Sequence, residues 1–233
     1  MLPRRRTARW FAAAFGAVAL VHLGAQLAGG GVVADASQVL LVPLLAGALW
    51  CETSAPRGRL VTLVIMALGL SWLGDSAPKL VDGDASFLVM VGFFLLAQIA
   101  YIAAFLPYRA RSVLHVHRVR LVGYLAVVVV LVAVCAAGAA GMLVPVLLYG
   151  GCLGAMAVLS TGVNRLTAVG GALFLVSDGL IALGAFVPGF GLPLQGFWVM
   201  ATYLAAQALL VAGVLLERAG SPAPRPTDAV RSA

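Results

Sequence analysis

Charged side chains are scarce in this chain: Asp, Glu, Lys and Arg make up 10% of its 233 residues, whereas 63% are apolar. Soluble domains carry about 25% charged residues, which cover the folded surface. So few charges exclude a soluble enzyme, a nucleic-acid-binding protein and a disordered chain. They predict an all-α, polytopic integral membrane protein whose apolar side chains face both lipid and the protein interior.

Cysteine and histidine are also rare, with three of each. The cysteines Cys51, Cys135 and Cys152 lie in or beside apolar runs, and their spacing suggests neither a zinc site nor a disulfide framework. No histidine is placed to share a metal ion with an acid inside an apolar run. We therefore expect neither a metal ion nor another cofactor.

Long apolar runs are what the sequence does contain. A helix needs ~20 apolar residues to cross a bilayer. Eight runs approach this length, at about 10–28, 36–52, 60–74, 85–106, 119–137, 141–161, 166–186 and 194–216. They predict one membrane domain of eight transmembrane helices over residues 1–218. A Pro-rich polar tail over 219–233 is expected to be disordered.

The basic residues lie almost entirely on one side of this arrangement. Of the 15 Lys and Arg residues, 14 fall in the N-terminal tail, the second, fourth and sixth gaps, or the C-terminal tail. Lys79 alone falls on the other side. Because Lys and Arg are retained in cytoplasmic loops, the pattern predicts that both termini are cytoplasmic. It also explains the net charge of +7 without nucleic acid, and the Arg-, Ala- and Gly-rich composition indicates a bacterial inner membrane.

The first apolar run has an alternative interpretation. Arg4–Arg6, an apolar run and then Ala34-Asp35-Ala36 resemble a cleavable signal peptide. The run from Trp10 to Ala28 is longer, however, than the ~7–15 residues of a signal-peptide core. We therefore expect the run to be retained as the first span.

Two acids lie at membrane depth. A carboxyl group inside a bilayer is costly, so such an acid is a functional candidate. Asp178 lies in the seventh run, ~12 Å below its outer end at 1.5 Å per residue; a hydrogen bond to a neighbouring helix is the alternative role. Asp75 lies at the outer end of the third run, where helix capping is the alternative.

Further polar side chains fall at similar depths. Together with the two acids, they predict an outward-opening pocket with the acids near its mouth and amides at its floor. For each tyrosine, a core aromatic ring with a satisfied hydroxyl is the alternative. The six candidate substrate-binding residues are Gln98, Tyr101, Tyr149, Ser177, Tyr203 and Gln207.

Three segments in order resemble one known family: LGLSWLGDSAPKL with FLVMVGFFLLAQIAYIAAF, then GALFLVSDGLIALGAF, then YLAAQALLVAGVL. They are similar to the signature segments of the YhhN family, the membrane lysoplasmalogenases related to mammalian transmembrane protein 86. The resemblance covers nearly the whole chain. It implies hydrolysis of the vinyl-ether bond of lysoplasmalogens to a fatty aldehyde and glycerophosphoethanolamine or glycerophosphocholine. Asp75 and Asp178 match the family's Gly-Asp and Ser-Asp aspartates.

The chain departs from the family pattern at two positions. Gln98 stands where the family usually has a histidine, and Val42 stands where a lysine commonly precedes the proline of the second span. The first departure removes a candidate proton carrier. The second removes a candidate phosphate contact, so the head group of the substrate is left open.

The implied chemistry suits two carboxyl groups. A vinyl ether hydrolyses by protonation of its β-carbon, attack of water on the oxocarbenium ion, and collapse of the hemiacetal. One neutral carboxyl supplies the proton, and one carboxylate stabilises the cation and orients water, as two acids do in glycosidases. Because burial penalises the charged form of a carboxyl, we assign the deeper Asp178 as acid and Asp75 as base.

Two other classes of function remain open at this point. Intramembrane acids in Gly-rich spans also fit a proton-coupled transporter or lipid-binding protein. A structural or assembly factor is a further alternative, in which Asp178 would be replaceable by Asn. The expected partners are a lysophospholipid substrate and the lipid bilayer, and the oligomeric state is left open.

Overall fold

A computed structural model describes residues 2–220, except for the side chains of residues 2–5, 84 and 140. Within that range the chain forms eight long helices and no β-strand. The helices are α1 (Leu2–Leu27), α2 (Val32–Glu52), α3 (Gly58–Ser76), α4 (Asp84–Phe105), α5 (Arg118–Ala136), α6 (Leu143–Ser160), α7 (Arg165–Phe186) and α8 (Gln195–Gly220). Short helical turns in the connections are Ala77–Leu80, Leu106–Arg111, Val113–Val116 and Ala140–Met142.

All eight long helices are long and apolar enough to cross a membrane. The prediction of an all-α membrane protein with eight spans is therefore confirmed. Of the expected tail, residues 219 and 220 belong to the end of α8. Residues 221–233 lie outside the part of the chain that the structure describes, so the expectation of disorder there is untested.

The helices pack as a ring with one member outside it. Contacts run from α1 through α2, α3, α4, α6, α7 and α8 back to α1, and α5 packs against the outside of α6 and α7. Helix α8 also contacts α2 and α3, which places it toward the interior. Helix α5 is the most apolar span and the least buried, and Cys135 is its one buried residue among those described. Its side chains therefore face lipid.

Aromatic rings join α4, α7 and α8 at the centre of the ring. Phe94, Phe174 and Tyr203 form three mutual edge-to-face pairs, with ring centroids 5.7–6.4 Å apart. Such pairs stabilise by about 0.5–1.5 kcal/mol beyond their buried area. Gly74 makes room for this cluster, because a Cβ atom there would lie 2.7 Å from the Phe94 ring. The cluster fixes the wall beside Asp75 and Asp178.

The two ends of the bundle differ in their charged contacts. At one end, the Arg111 guanidinium donates to the Gly162 and Val163 carbonyls and to Glu217 at 2.8–3.1 Å, and Arg218 donates to the Ser54 carbonyl at 2.9 Å. We call this the arginine end; it gathers the connections after α2, α4 and α6 and the end of α8. The opposite end carries Lys79, and we call it the lysine end.

Candidate functional site

A cavity of about 760 Å³ opens at the lysine end of the bundle. Asp35 and Lys79 lie at its rim, and Asp75 and Asp178 both line it further in. Helices α1, α2, α3, α4, α7 and α8 contribute to its walls. The structure thus brings the two intramembrane acids of the sequence analysis to one water-accessible space.

Asp75 lies in the last turn of α3 and is 9% exposed. The Tyr203 hydroxyl donates to its Oδ2 at 2.8 Å, and the Gln38 amide donates to its Oδ1 at 3.4 Å. The third run was expected to end at residue 74, but the helix continues to Ser76 and a further turn extends it to Leu80. Acids stabilise the first turn of a helix and not the last, so capping does not account for Asp75.

Asp178 lies within α7, eight residues before its end at Phe186, and is 6% exposed. The Tyr149 hydroxyl donates to its Oδ2 at 2.5 Å, and the Gln98 amide donates to the same oxygen at 3.5 Å. Both donors therefore act on one oxygen. No hydrogen bond to the Asp178 Oδ1 is found within the described residues.

The two acids have the same kinds of partner in different arrangements. Each accepts one short hydrogen bond from a tyrosine and one longer bond from a glutamine, all from other helices. An ionised carboxylate only accepts hydrogen bonds, whereas a protonated carboxyl must also donate one. Asp75, with a donor on each oxygen, suits the ionised form. Asp178, with Oδ1 unused, has an oxygen that can carry a proton into the cavity.

The remaining candidate residues fall into two groups. Ser177 and Tyr203 line the cavity, but the Ser177 hydroxyl donates to the Val199 carbonyl at 3.0 Å. Tyr101 and Gln207 lie in the packed core and bond each other at 2.5 Å. Neither these two residues nor Gln98 lines the cavity. Tyr101, Gln207 and Gln98 therefore do not contact the cavity directly, and other side chains lie between them and it.

A second, narrow cavity of about 70 Å³ adjoins the first among α4, α5, α6 and α7. Its lining is almost wholly apolar, and the exceptions are the phenol of Tyr149 and the carboxyl group of Asp178. Met90, Phe94, Ile181 and Asp178 line both cavities. Asp178 therefore lies where a wide cavity with several polar side chains in its lining meets a narrow apolar one.

Sequence reasoning missed several polar residues of the cavity. Gln38 is the amide partner of Asp75, and Asp35 and Lys79 form an ion pair with 2.5 Å between Nζ and Oδ1. Gln26 lines the cavity and contacts the buried His22 at 3.4 Å. A signal for Lys79 was present, because it is the one basic residue on its side of the predicted topology. No sequence signal identified Gln38 apart from its position near the start of an apolar run.

Acidic and sulfur-containing side chains are dispersed in the rest of the bundle. Among the described residues, no three His, Cys, Asp or Glu side chains are grouped closely enough to hold a metal ion. The arrangement offers instead two carboxyl groups, two tyrosine hydroxyls and water access. Such a set can move protons to and from a substrate.

Comparison with known proteins gives consistent results. The model of the YhhN family matches residues 33–214, which include both acids. Proteins named lysoplasmalogenase from Mycobacterium bovis and Mycobacterium tuberculosis are each 31% identical to the chain over 223 residues. The alignment covers 88% of this chain and 79% of each of those proteins. No solved structure matches the chain significantly.

Proposed function

Because this chain belongs to the YhhN family, we propose that it hydrolyses the vinyl-ether bond of lysoplasmalogens within the membrane. The products are a fatty aldehyde and glycerophosphoethanolamine or glycerophosphocholine. The chain is a multi-pass integral membrane protein and a relative of lysoplasmalogenases. The proposal adds the bond that is cleaved, the two acids that cleave it, and a reaction that uses neither metal nor cofactor.

The observation that carries the proposal is the position of Asp178 between the two cavities. A lysoplasmalogen has a polar glycerophosphate part and a long apolar chain, and the vinyl ether is the bond where they meet. With its polar part in the wide cavity and its chain directed into the narrow one, the substrate has its vinyl ether beside Asp178. A solute that is wholly apolar or wholly polar would occupy only one of the two cavities, and it would not place a bond between its polar and apolar parts beside Asp178.

The proton transfer follows from the hydrogen bonds of Asp178. Its neutral carboxyl donates the Oδ1 proton to the β-carbon of the vinyl ether, and the ether oxygen shares the resulting positive charge. The carboxylate that forms is stabilised by the Tyr149 and Gln98 donors on Oδ2. Hydrogen bonds to a charged group contribute about 1.5–3 kcal/mol each when well formed, so Tyr149 supports this step most.

Asp75 then acts on the oxocarbenium ion. Its carboxylate, held by Tyr203 and Gln38, stabilises the cation and takes a proton from the attacking water, which gives a hemiacetal. Asp75 returns that proton to the ether oxygen as the C–O bond breaks. The hemiacetal hydroxyl returns a proton to Asp178, so the aldehyde leaves and both acids recover their starting forms.

The other candidate residues take supporting roles in this proposal. Tyr149, Tyr203 and Gln98 position the two carboxyl groups and do not contact the reacting carbon atoms. Ser177 offers its oxygen to the substrate only as an acceptor, since its proton is used by Val199. Tyr101 and Gln207 form the buried floor beneath Tyr203.

The orientation in the membrane follows from the distribution of basic residues. With the arginine end and both termini in the cytoplasm, the wide cavity opens to the outer face of a bacterial inner membrane. The substrate then enters from the outer leaflet. A tag inserted at residues 82–84 should react with impermeant antibody in intact cells, and protection of that tag would contradict this orientation.

An aldehyde-release assay tests the proposed function. The purified chain in a non-ionic detergent is given 1-alkenyl lysophosphatidylethanolamine, and the matched 1-acyl and 1-alkyl lysolipids serve as controls. We expect aldehyde from the alkenyl lipid alone, because neither control has a vinyl-ether carbon to protonate and hydrolysis of the acyl ester gives a carboxylic acid. Absence of aldehyde from every vinyl-ether lysolipid would contradict the proposal and favour a transport or binding role.

A further inference from the structure

Lys79 and Asp35 form an ion pair at the opening of the wide cavity. The Lys79 ammonium donates to the Asp35 carboxylate at 2.5 Å and to the Asp35 carbonyl at 3.4 Å. The Lys79 side chain is 29% exposed and that of Asp35 is 69% exposed. Both residues line the cavity. Its opening thus presents one positive and one negative group side by side.

Lys79 is the residue of the cavity whose charge favours an anion. Among the described residues that line the cavity, it is the single Lys or Arg, whereas Asp35, Asp75 and Asp178 are acids. A phosphate that entered the cavity without a cation would be repelled by the carboxylates of Asp35 and Asp75. The phosphate of a lysophospholipid must therefore lie at Lys79 if the lipid is to occupy the cavity.

The spacing along the chain supports the same position. Lys79 follows Asp75 by four residues, through the end of α3 and the turn Ala77–Leu80. At ~1.5–2.0 Å per residue, this separates the two by about 6–8 Å along the helix axis. That separation is comparable with the length of the glycerol unit between a phosphate and an ether oxygen. A phosphate held at Lys79 thus leaves the ether oxygen at the depth of Asp75, with the alkenyl chain continuing toward the deeper Asp178.

We infer that Lys79 and Asp35 are the binding site for a zwitterionic phospholipid head group, with phosphate on Lys79 and the ammonium on Asp35. This inference rests on the proposed function, because it takes a lysophospholipid as the occupant. An exposed ion pair contributes little to the stability of the fold, because solvent screens the two charges. Opening it to receive the head group is therefore cheap, and each partner gains an ionic contact with the ligand.

The geometry also selects between two head groups. Asp35 is exposed and can accept hydrogen bonds from the primary ammonium of ethanolamine. The quaternary ammonium of choline has no N–H to donate, and it offers only a charge at longer distance. Charge-assisted hydrogen bonds are roughly twice as strong as neutral ones. The site therefore favours glycerophosphoethanolamine over glycerophosphocholine.

Binding of lipids that cannot be hydrolysed tests this inference separately from catalysis. The probes are 1-alkyl-glycerophosphoethanolamine, 1-alkyl-glycerophosphate and 1-alkylglycerol, each titrated against the full chain in maltoside detergent. We compare the parent with Lys79→Gln, Lys79→Arg and Asp35→Asn. Arg59→Gln serves as the matched control, because Arg59 is an exposed cation at the arginine end.

The expected losses depend on the probe. Lys79→Gln should weaken both phosphate-containing lipids about tenfold or more, because it removes a hydrogen bond to a charged group. Binding of alkylglycerol should not change, and Lys79→Arg should restore most of the affinity. Asp35→Asn should weaken only the phosphoethanolamine lipid, by roughly two- to fivefold at this exposed position. Arg59→Gln should match the parent with all three probes.

Two outcomes would overturn the inference. Equal weakening of alkylglycerol by Lys79→Gln would mean that Lys79 maintains the shape of the opening and does not bind phosphate. Unchanged binding of every probe to Lys79→Gln would place the phosphate elsewhere. The aldehyde assay separates these results from failure of the proposed function: a parent that binds through Lys79 but releases no aldehyde contradicts the hydrolase and supports the head-group site.

Discussion

Asp178 and Asp75 line one cavity, yet they differ in how their carboxyl oxygens are used. Asp178 lies well inside α7 and receives both of its donors on Oδ2. Asp75 lies in the last turn of α3 and receives one donor on each oxygen. The deeper acid, Asp178, thus keeps an oxygen that can carry a proton. The shallower acid, Asp75, has the hydrogen-bonding pattern of an ionised carboxylate. Two acids of the same residue type can be given different tasks by the number of donors on each oxygen.

Replacement of the deeper acid should have the largest effect. Asp178→Asn cannot supply a proton, and loss of general acid catalysis costs about 10²–10⁴-fold in rate. The protein should still fold, because an amide is cheaper to bury in a membrane than a carboxylate. Aldehyde release measures the rate, and size-exclusion chromatography checks the fold. The control is Asp82→Asn, which changes an exposed acid that does not line the cavity.

Replacement of the shallower acid sharpens the comparison. Asp75→Asn keeps the Asp178 proton but removes the carboxylate that stabilises the cation and activates water. We expect a loss near the lower end of the range for acid–base catalysis, about 10²-fold. If Asp75→Asn lost more activity than Asp178→Asn in the same aldehyde assay, the assignment of acid and base would be reversed.

The tyrosine partners should give smaller and unequal effects. Tyr149→Phe removes the 2.5 Å hydrogen bond to Asp178 and should lower the rate about tenfold or more, as expected for a bond to a charged group. Tyr203→Phe removes the 2.8 Å bond to Asp75, but Asp75 keeps its other donor on the opposite oxygen. Its loss should therefore be smaller. Equal rates for Tyr149→Phe and the parent would show that Tyr149 does not support proton transfer.

The smallest effect is expected at Gln98. Gln98→His introduces the residue that the resemblance to the family implies at this position, and an imidazole N–H can replace the amide as a donor to Asp178. The hydrogen bond from the Gln98 side-chain amide to Asp178 is long, at 3.5 Å, so its replacement should cost little activity. Aldehyde release should equal or exceed that of the parent. A large fall in rate, with an intact fold, would show that this chain depends on the amide.

The general fold could be predicted because bilayer thickness fixes the length of a spanning helix. Eight apolar runs therefore predicted eight helices. The position of α5 outside the ring could not be predicted, since an apolar run looks the same whether it faces lipid or protein. Helix capping was an alternative for Asp75 because the third run was expected to end at residue 74. The helix instead continues to Ser76 and is followed by the turn Ala77–Leu80, so Asp75 lies within helical structure and is buried.

The partners of the two acids were predictable only in part. Tyr149 and Tyr203 stood out because tyrosines are uncommon in these apolar runs, and depth alone grouped them with the acids. The bond between Gln38 and Asp75 depends on how α2 rotates against α3, which no local pattern encodes. Tyr101 and Gln207 share the depth of the site, but their side chains meet each other in the core. Depth predicts a layer of the bundle, and packing decides which members of that layer reach the cavity.

The origin of the new C–H bond tests the central claim most directly. The parent is incubated with an alkenyl lysolipid in D₂O, and the aldehyde is trapped by reduction and examined by mass spectrometry. Protonation of the β-carbon by Asp178, which exchanges its proton with solvent, predicts one deuterium at the carbon next to the carbonyl. It also predicts that Asp178→Asn forms almost none of this labelled product. Aldehyde without deuterium at that carbon, or equal labelled product from Asp178→Asn, would contradict the account.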